Sequence, residues 1–161
     1  MIEIGSASMV FEKRGVGKAD ANDGFKALDN ITITIPDGCI YGFLGSNGAG
    51  KSTLLRMLCG VYKTEQGSVK IDGEDVFDNP SAKAKIFFVN DETVQYARFT
   101  LDGLAKFYAS YYDSFSFEIY ERLVNQLQLP RNKRMSEFSK GMKRQAVVII
   151  GLSCNTKYLL L

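Results

Sequence analysis

The sequence predicts an α/β fold, in which a core of strands is packed with helices and carries further inserted helices. Three features indicate this fold. Residues 39–44 form a short, almost wholly apolar run that leads directly into a glycine-rich segment and a helix-like segment. Residues 30–36 alternate isoleucine with threonine, which is the period of a half-buried strand. Residues 100–129 contain no proline, and their leucine and aromatic residues recur at helical spacing.

Segments with the alternation or apolar composition of strands occur mainly in the first 92 residues, with one more at the end of the sequence. They lie at 1–11, 30–36, 39–44, 67–76, 84–92 and 157–161. The run at 39–44 is typical of a strand that is buried on both faces of a mostly parallel sheet. Turn residues separate the strands, as in Pro-Asp-Gly at 36–38 and Asp-Gly at 72–73. The glycine, aspartate and asparagine of residues 15–24 predict an exposed loop.

The helical segments are bounded by residues that start or stop helices. Helices are predicted at 51–60, 100–112 and 117–129, and from Ser139 onward. Gly60 ends the first of them, because glycine accepts the left-handed conformation that closes many helices. Residues 113–116 break the long helical stretch, and Pro130 stops its second half.

Composition limits the classes of function. The 161 residues, 45% hydrophobic and 24% charged, suit a soluble globular domain. Its 20 basic and 18 acidic residues are mixed along the chain, so we expect no nucleic-acid partner. No apolar run is long enough to span a membrane and no secretory leader is recognisable, which indicates a cytosolic protein. The sequence has no histidine, so chemistry must depend on lysine, serine, carboxylates and backbone amides.

The chain has three cysteines, Cys39, Cys59 and Cys154. They lie in apolar surroundings, far apart and without the spacing of metal ligands. We therefore expect them to be buried free thiols, the commonest state of cysteine outside oxidising compartments.

The glycine-rich segment matches the phosphate-binding pattern G-x-x-x-x-G-K-[ST]. Its residues are Gly45, Ser46, Asn47, Gly48, Ala49, Gly50, Lys51 and Ser52, with Thr53 next in the helix. Glycines let the backbone approach phosphates and turn successive N–H groups toward them, at the positive end of a helix. Lys51 is placed to reach the β- and γ-phosphates, and the Ser52 hydroxyl to coordinate Mg²⁺. The alternative is a glycine-rich turn without a ligand.

Further segments distinguish among nucleotide-binding classes, and they carry a resemblance. The base-reading Asn-Lys-x-Asp of GTPases is absent, since residues 155–158 read Asn-Thr-Lys-Tyr. The stretches "GSNGAGKSTLLRML", "GSVKIDGEDV", "SEFSKGMKRQAVVIIGL" and "KYLLL" occur in that order. Together they resemble the ATP-binding subunit of bacterial ATP-binding cassette (ABC) transporters over nearly the whole chain.

The resemblance implies a fold and a domain organisation. The fold is a P-loop NTPase (RecA-like) core with an antiparallel β subdomain and an inserted α-helical subdomain, incomplete at the C-terminus. Residues 1–94 would form the β subdomain and P-loop core, residues 95–140 the helical subdomain, and residues 141–161 the signature helix and the start of the Walker B strand.

The resemblance also implies site residues. Ser139 and Gly141 match the signature motif, which contacts the γ-phosphate of ATP bound to a partner subunit, whereas Lys140 and Met142 depart from its familiar form. The alternative for Ser139 is that it only caps its own helix. Asp91 stands where the family has a glutamine that senses Mg²⁺ and water. Asp91 would then be a catalytic residue, as Lys51 is, and a second Mg²⁺ ligand in addition to Ser52. The alternative is that Asp91 only caps a turn.

An aromatic residue upstream of the P-loop stacks on adenine in this family. Phe25 and Phe11 are both candidates, with Phe25 preferred because it lies close to the Ala-Leu-Asp-Asn of residues 27–30; a packing role is the alternative for each. A dense set of aromatic residues between Tyr96 and Tyr120 predicts a helical core whose surplus rings form a partner surface.

The implied function is Mg²⁺-dependent ATP binding and hydrolysis that power transport through a membrane permease. The chain would form a head-to-tail dimer and lie on the cytoplasmic face of the membrane through its permease. The Walker B aspartate, catalytic glutamate and switch histidine of the family are absent from the 161 residues, so we expect this chain to be a shortened piece that does not hydrolyse ATP. The alternatives are a soluble cassette ATPase acting on DNA or ribosomes, and a non-catalytic nucleotide- or partner-binding module.

Overall fold

A computed structural model describes residues 1–11, 24–90 and 96–161. It forms two compact units, Met1–Lys83 and Ala84–Leu161. Asp91 and all but the last residue of the loop predicted at 15–24 lie outside the described residues. Within the described ranges, no helix is both long and apolar enough to cross a membrane.

The first unit is built on an antiparallel sheet of four strands in the order β2-β1-β3-β4. The strands are β1 (Ile2–Phe11), β2 (Phe25–Ile35), β3 (Gln66–Ile71) and β4 (Glu74–Asp75). The isoleucines of β2 are at least partly buried while the intervening threonines are exposed, as their alternation predicts. The Asp72-Gly73 turn joins β3 to β4 with both residues at positive φ. This sheet confirms the antiparallel β subdomain.

Helix α1 (Lys51–Leu58) follows the glycine-rich segment, as predicted. It buries Leu54, Met57 and Leu58. After Cys59 the chain turns at Gly60, whose φ of 63° lies in the left-handed region. The short helix α2 (Pro80–Ala84) comes later in the chain. The position after the glycine-rich segment and the stop signal at Gly60 therefore located α1, which ends two residues before Gly60.

The strand predicted at 39–44 is not formed. Ile40 and Leu44 are almost fully exposed, and none of the described strands pairs with this segment. An apolar run becomes a buried strand only where neighbouring strands offer a hydrogen-bonding ladder and helices cover its faces. Cys39 is exposed for the same reason, so the prediction that all three cysteines are buried is wrong for this one.

The second unit has a two-stranded parallel sheet and three main helices. Strand β5 (Ile86–Phe88) pairs with β6 (Tyr158–Leu160), so a strand lies within each of the segments predicted at 84–92 and 157–161. The helices are α3 (Leu101–Ala109), α4 (Phe117–Leu127) and α5 (Lys140–Ser153). Their core is a single cluster of buried apolar side chains, including Phe87, Leu104, Tyr120, Met135 and Ile150.

Side chains at the helix ends define the boundaries of these helices. The Thr100 hydroxyl accepts from the N–H of Gly103 at 3.1 Å, and the Ser116 hydroxyl accepts from Ile119 at 3.2 Å. The ends differ from the prediction. Helix α3 stops at Ala109 rather than at residue 112, and α4 stops at Leu127, because Gln128 adopts a left-handed φ of 52°.

Candidate functional site

The glycine-rich loop bends tightly before α1. Gly48 and Gly50 have φ values of 86° and 83°, in the region that L side chains rarely adopt. The N–H of Ala49 donates to Ser46 O at 3.2 Å, which closes the turn, and the N–H of Leu54 donates to Gly50 O at 2.9 Å, which begins the helix. The loop therefore delivers the chain to the N-terminus of α1 in a conformation that requires glycine.

Gly50 also lies too close to strand β2 to accept a side chain. A Cβ at this position would lie 2.3 Å from the carbonyl oxygen of Ala27 and 2.9 Å from Leu28 Cδ2. A Cβ at Gly48 would meet no heavy atom within 4 Å. The sequence pattern fixes Gly50 but leaves the position of Gly48 variable, in agreement with the finding that only Gly50 is enclosed by β2.

The first turn of α1 presents unpaired hydrogen-bond donors. In the described structure the N–H groups of Lys51, Ser52 and Thr53 have no acceptor, and no side chain caps the helix. These N–H groups carry the partial positive charge of the helix N-terminus. Such a terminus binds phosphate oxygens well. The residues therefore fit a polyphosphate by their donor set.

Lys51 folds back over this loop. Its ammonium donates to the carbonyl oxygens of Gly45 at 2.6 Å and Ser46 at 2.7 Å. These contacts hold a positive charge beside the unpaired N–H groups. Backbone carbonyls are neutral acceptors, so an anionic phosphate would compete with them for the ammonium.

A cleft of about 270 Å³ opens over the loop. Its lining combines two residues of β2 with the loop and the start of α1: Phe25, Ala27, Asn47, Gly48, Gly50, Lys51, Ser52 and Thr53. The structure thus brings Phe25 together with the predicted phosphate-binding residues. Phe11 instead packs edge-on against Tyr62, with ring centroids 5.5 Å apart.

The cleft provides some, but not all, of the oxygen ligands that a Mg²⁺ site usually has. Asn47, Ser52 and Thr53 supply side-chain oxygens, which Mg²⁺ accepts alongside phosphate oxygens and water. None of the lining residues carries a carboxylate. Across the described part of the chain, no three Cys, Asp or Glu side chains are grouped as metal ligands. Asp91, the predicted second ligand, lies outside the described residues.

Ser139 directly precedes α5 in the second unit. Its hydroxyl accepts from the N–H of Met142 at 3.2 Å, so Ser139 caps its own helix, as one of the two predictions for it states. The N–H groups of Lys140 and Gly141 have no acceptor in the described structure. A Cβ at Gly141 would meet no heavy atom within 4 Å. The terminus is open to a ligand even though Ser139 acts as a cap.

Ala27 lines the cleft and was missed by sequence reasoning. Its carbonyl oxygen is the atom closest to a Cβ at Gly50, and its side chain lies on the same wall as Phe25. An alanine within a strand carries no chemical signal in a sequence. Only its position two residues after Phe25 connects it to the site.

Comparison with known proteins finds one matching family model and several curated relatives. The family model described as "ABC transporter" matches residues 28–161. The ATP-binding protein YtrB of Bacillus subtilis is 28% identical over 152 residues, covering 94% of this chain and 51% of YtrB. The ATP-binding protein NatA of the same organism is 32% identical over 130 residues, covering 76% of this chain and 53% of NatA. The chain therefore spans about half the length of these curated relatives.

Solved structures share the fold over almost the whole chain. A putative ABC transporter ATP-binding protein from Pyrococcus furiosus superposes with a TM-score of 0.78 at 26% identity, covering 99% of this chain and 74% of that protein. An ATP-binding cassette in a dimeric post-hydrolysis state, bound to ADP and Pi, superposes with a TM-score of 0.75 at 20% identity, covering 99% of this chain and 72% of that protein. The second likeness concerns the fold alone.

Proposed function

Since the chain belongs to the ABC transporter family, we propose that it binds ATP with Mg²⁺ in the cleft at the start of α1. One observation carries this proposal. The unpaired N–H groups of Lys51, Ser52 and Thr53, the Lys51 ammonium and the exposed Phe25 ring line a single cleft. That set offers donors and charge to phosphates and an aromatic face to a base.

The proposed roles follow from this arrangement. The phosphates accept from the N–H groups of α1, and Lys51 exchanges the carbonyls of Gly45 and Ser46 for phosphate oxygens. Ser52 ligates Mg²⁺, which when bound neutralises part of the phosphate charge. Phe25, 56% exposed and on the wall of the cleft, stacks on adenine.

ATP hydrolysis is proposed for the native protein, meaning the longer protein of which this chain is proposed to be a part. Hydrolysis requires a group that positions the attacking water, and the described cleft has no carboxylate for that purpose. The Walker B aspartate and catalytic glutamate of the family are absent from the 161 residues, so this chain by itself is proposed to bind ATP without measurable turnover. Asp91 is proposed to contact Mg²⁺ or the attacking water in place of the family's glutamine, a proposal that rests on its sequence position.

Dimerisation is proposed to complete the site. Ser139 and the unpaired N–H groups of Lys140 and Gly141 would contact the γ-phosphate of ATP held by a second subunit. Support comes from the open terminus of α5 and from the dimeric state of the ADP-bound cassette that shares the fold. Closure of the dimer would change the conformation of a permease in the membrane. The protein would lie on the cytoplasmic face of that membrane, bound to the permease.

A row of aromatic rings, formed by Phe107 of α3 and by Phe99 and Tyr111 just outside its two ends, is the proposed permease-docking surface. The centroids of Phe99 and Phe107 lie 5.3 Å apart, and those of Phe107 and Tyr111 lie 5.0 Å apart. Phe107 is 39% exposed and Tyr111 is 71% exposed, so the row leaves apolar area uncovered. Exposed aromatic clusters of this kind are typical of protein interfaces.

The first experiment compares Lys51→Ala with Lys63→Ala by titration calorimetry with Mg²⁺ and ATP. Losing the ammonium should weaken binding by about ten- to a hundredfold, since a hydrogen bond to a charged group contributes about 1.5–3 kcal/mol. Lys63 lies outside the cleft lining and stacks on Phe77, so its variant should bind normally. Normal affinity in Lys51→Ala would overturn the proposed site.

A second experiment isolates the proposed dimer contact. Ser139→Arg in the native protein should leave ATP affinity unchanged and abolish ATP-dependent dimerisation, because the larger cation blocks the terminus of α5. Gln126→Arg on the exposed face of α4 adds the same charge elsewhere and should dimerise normally. Analytical ultracentrifugation with and without ATP measures both. Unchanged dimerisation of Ser139→Arg would remove Ser139 from the proposed function.

A further inference from the structure

We infer that Arg131 is a positioning residue for Ser139, because it ties the segment that leads into α5 to both α3 and α4. The inference rests on the proposed function, in which Ser139 meets the nucleotide of a second subunit. Arg131 touches no proposed ligand, so its role is to place the residues that do. The contacts that support this role all lie within the second unit.

Arg131 reaches two helices at once. Its Nε donates to Asp102 Oδ1 of α3 at 3.1 Å, and its terminal nitrogen donates to Glu121 Oε1 of α4. Its guanidinium also lies over the ring of Tyr120, 5.5 Å from the centroid. Only a planar group with several fixed donors makes this set of contacts, which lysine cannot reproduce.

Tyr120 completes the cluster from the buried side. Its ring is 1% exposed, and its hydroxyl donates to the same Asp102 Oδ1 at 2.6 Å. Burial, reinforced by this hydrogen bond, raises the pKa of Tyr120 well above its ordinary value, so the hydroxyl remains a donor at neutral pH. Asp102 is thus held by a buried neutral donor and by a cation at the surface.

The anchored segment leads directly to Ser139. After Arg131, the N–H of Met135 donates to Phe99 O at 2.8 Å and the N–H of Ser136 donates to Ala97 O at 3.1 Å. Met135 and Phe138 are buried in the core. The segment is therefore fixed along its length against the residues that precede α3, and Ser139 follows at its end. Loss of the Arg131 contacts would therefore leave the beginning of this segment unanchored.

A purely stabilising role is the competing explanation, and the test separates the two. Arg131→Met keeps an unbranched apolar stem but removes every donor, and Ile86→Val removes one buried methylene group in β5, outside the cluster. Both variants should lower the melting temperature modestly. ATP affinity, measured as before, should be unchanged in both, because the proposed nucleotide contacts lie in the first unit.

ATP-dependent dimerisation of the native protein is the deciding readout, measured well below both melting temperatures. Arg131→Met should weaken it by about two- to thirtyfold, the range of effects that residues outside a site exert on coupling, and Arg131→Lys should restore part of the loss. Ile86→Val should dimerise normally. An equal loss in Ile86→Val, or no loss in Arg131→Met, would overturn the inference.

Two further variants keep the test decisive. If Arg131→Met does not fold, Asp102→Asn gives the same readout, since it retains the shape and one acceptor but removes the charge that Arg131 faces. Ser139→Arg shows whether the proposed dimer contact is wrong or only the positioning role of Arg131. If Ser139→Arg dimerises normally, Ser139 is not part of the dimer contact, and that part of the proposed function fails together with the positioning role. If Ser139→Arg abolishes dimerisation while the Arg131 and Asp102 variants dimerise normally, only the positioning role fails.

Discussion

Gly50→Ala is the sharpest perturbation of the phosphate-binding loop. An L side chain at φ +83° costs about 1–2 kcal/mol relative to glycine. The added Cβ would also lie 2.3 Å from Ala27 O and 2.9 Å from Leu28 Cδ2, so the loop or β2 must move. Relieving such overpacking typically costs about 1–3 kcal/mol more. The free energy of unfolding should therefore fall by about 2–5 kcal/mol.

Two other glycines separate the backbone strain from the steric overlap. Gly73 and Gly48 have φ values of 81° and 86°, and a Cβ at either position meets no heavy atom within 4 Å. Gly73→Ala and Gly48→Ala should each cost only the strain, about 1–2 kcal/mol. Gly73 lies in a turn outside the cleft, whereas Gly48 lines it, so the pair also separates effects on binding from effects on folding.

The assay is urea unfolding of each variant, followed by titration with Mg²⁺ and ATP under native conditions. Gly50→Ala should be the least stable of the three and should bind ATP most weakly, because the displaced loop misaligns the N–H groups of α1. Gly73→Ala should keep normal affinity. The reasoning is refuted if Gly50→Ala is as stable as Gly73→Ala and binds ATP like the unaltered chain.

Two further predictions concern the cleft wall and the thiols. Phe25→Ala should weaken ATP binding by about 1–3 kcal/mol, the contribution of stacking one base, while Phe25→Trp should retain it; calorimetry that finds no change in Phe25→Ala would exclude stacking. Exposed Cys39 should react rapidly with a thiol reagent at pH 8. Burial raises the pKa of both Cys59 and Cys154 to about 12, so these thiols should stay protonated and react only on unfolding or at much higher pH. Mass spectrometry of the labelled chain would contradict this if all three thiols reacted at equal rates.

Local features of the sequence predicted much of the fold. The phosphate-binding loop and α1 depend on glycine conformations and on a helix start that a few neighbouring residues determine. The cap at Ser139 and the break before α4 follow from the same short-range chemistry. The alternation in β2 reports burial on one face of a sheet, which is why this strand was predictable, whereas the antiparallel arrangement was implied by the family resemblance.

Features that depend on distant partners were not predictable. The run at 39–44 reads as a buried strand, yet no described strand pairs with it, and its composition cannot reveal whether a ladder is present. Gln128 ends α4 in a left-handed conformation that glutamine seldom adopts. The cluster of Asp102, Tyr120 and Arg131 joins residues that no motif connects. Such contacts are set by tertiary packing rather than by local propensity.

The most direct test of the central claim is a nuclear magnetic resonance titration of the isotope-labelled chain with Mg²⁺ and ATP. We predict that the amide resonances of Lys51, Ser52 and Thr53 shift and saturate together as their unpaired N–H groups donate to phosphate oxygens. The amide of Gly73, in the β3–β4 turn, should not move. ATP binding that leaves the three α1 amides unshifted, or no binding at millimolar ATP, would contradict the account.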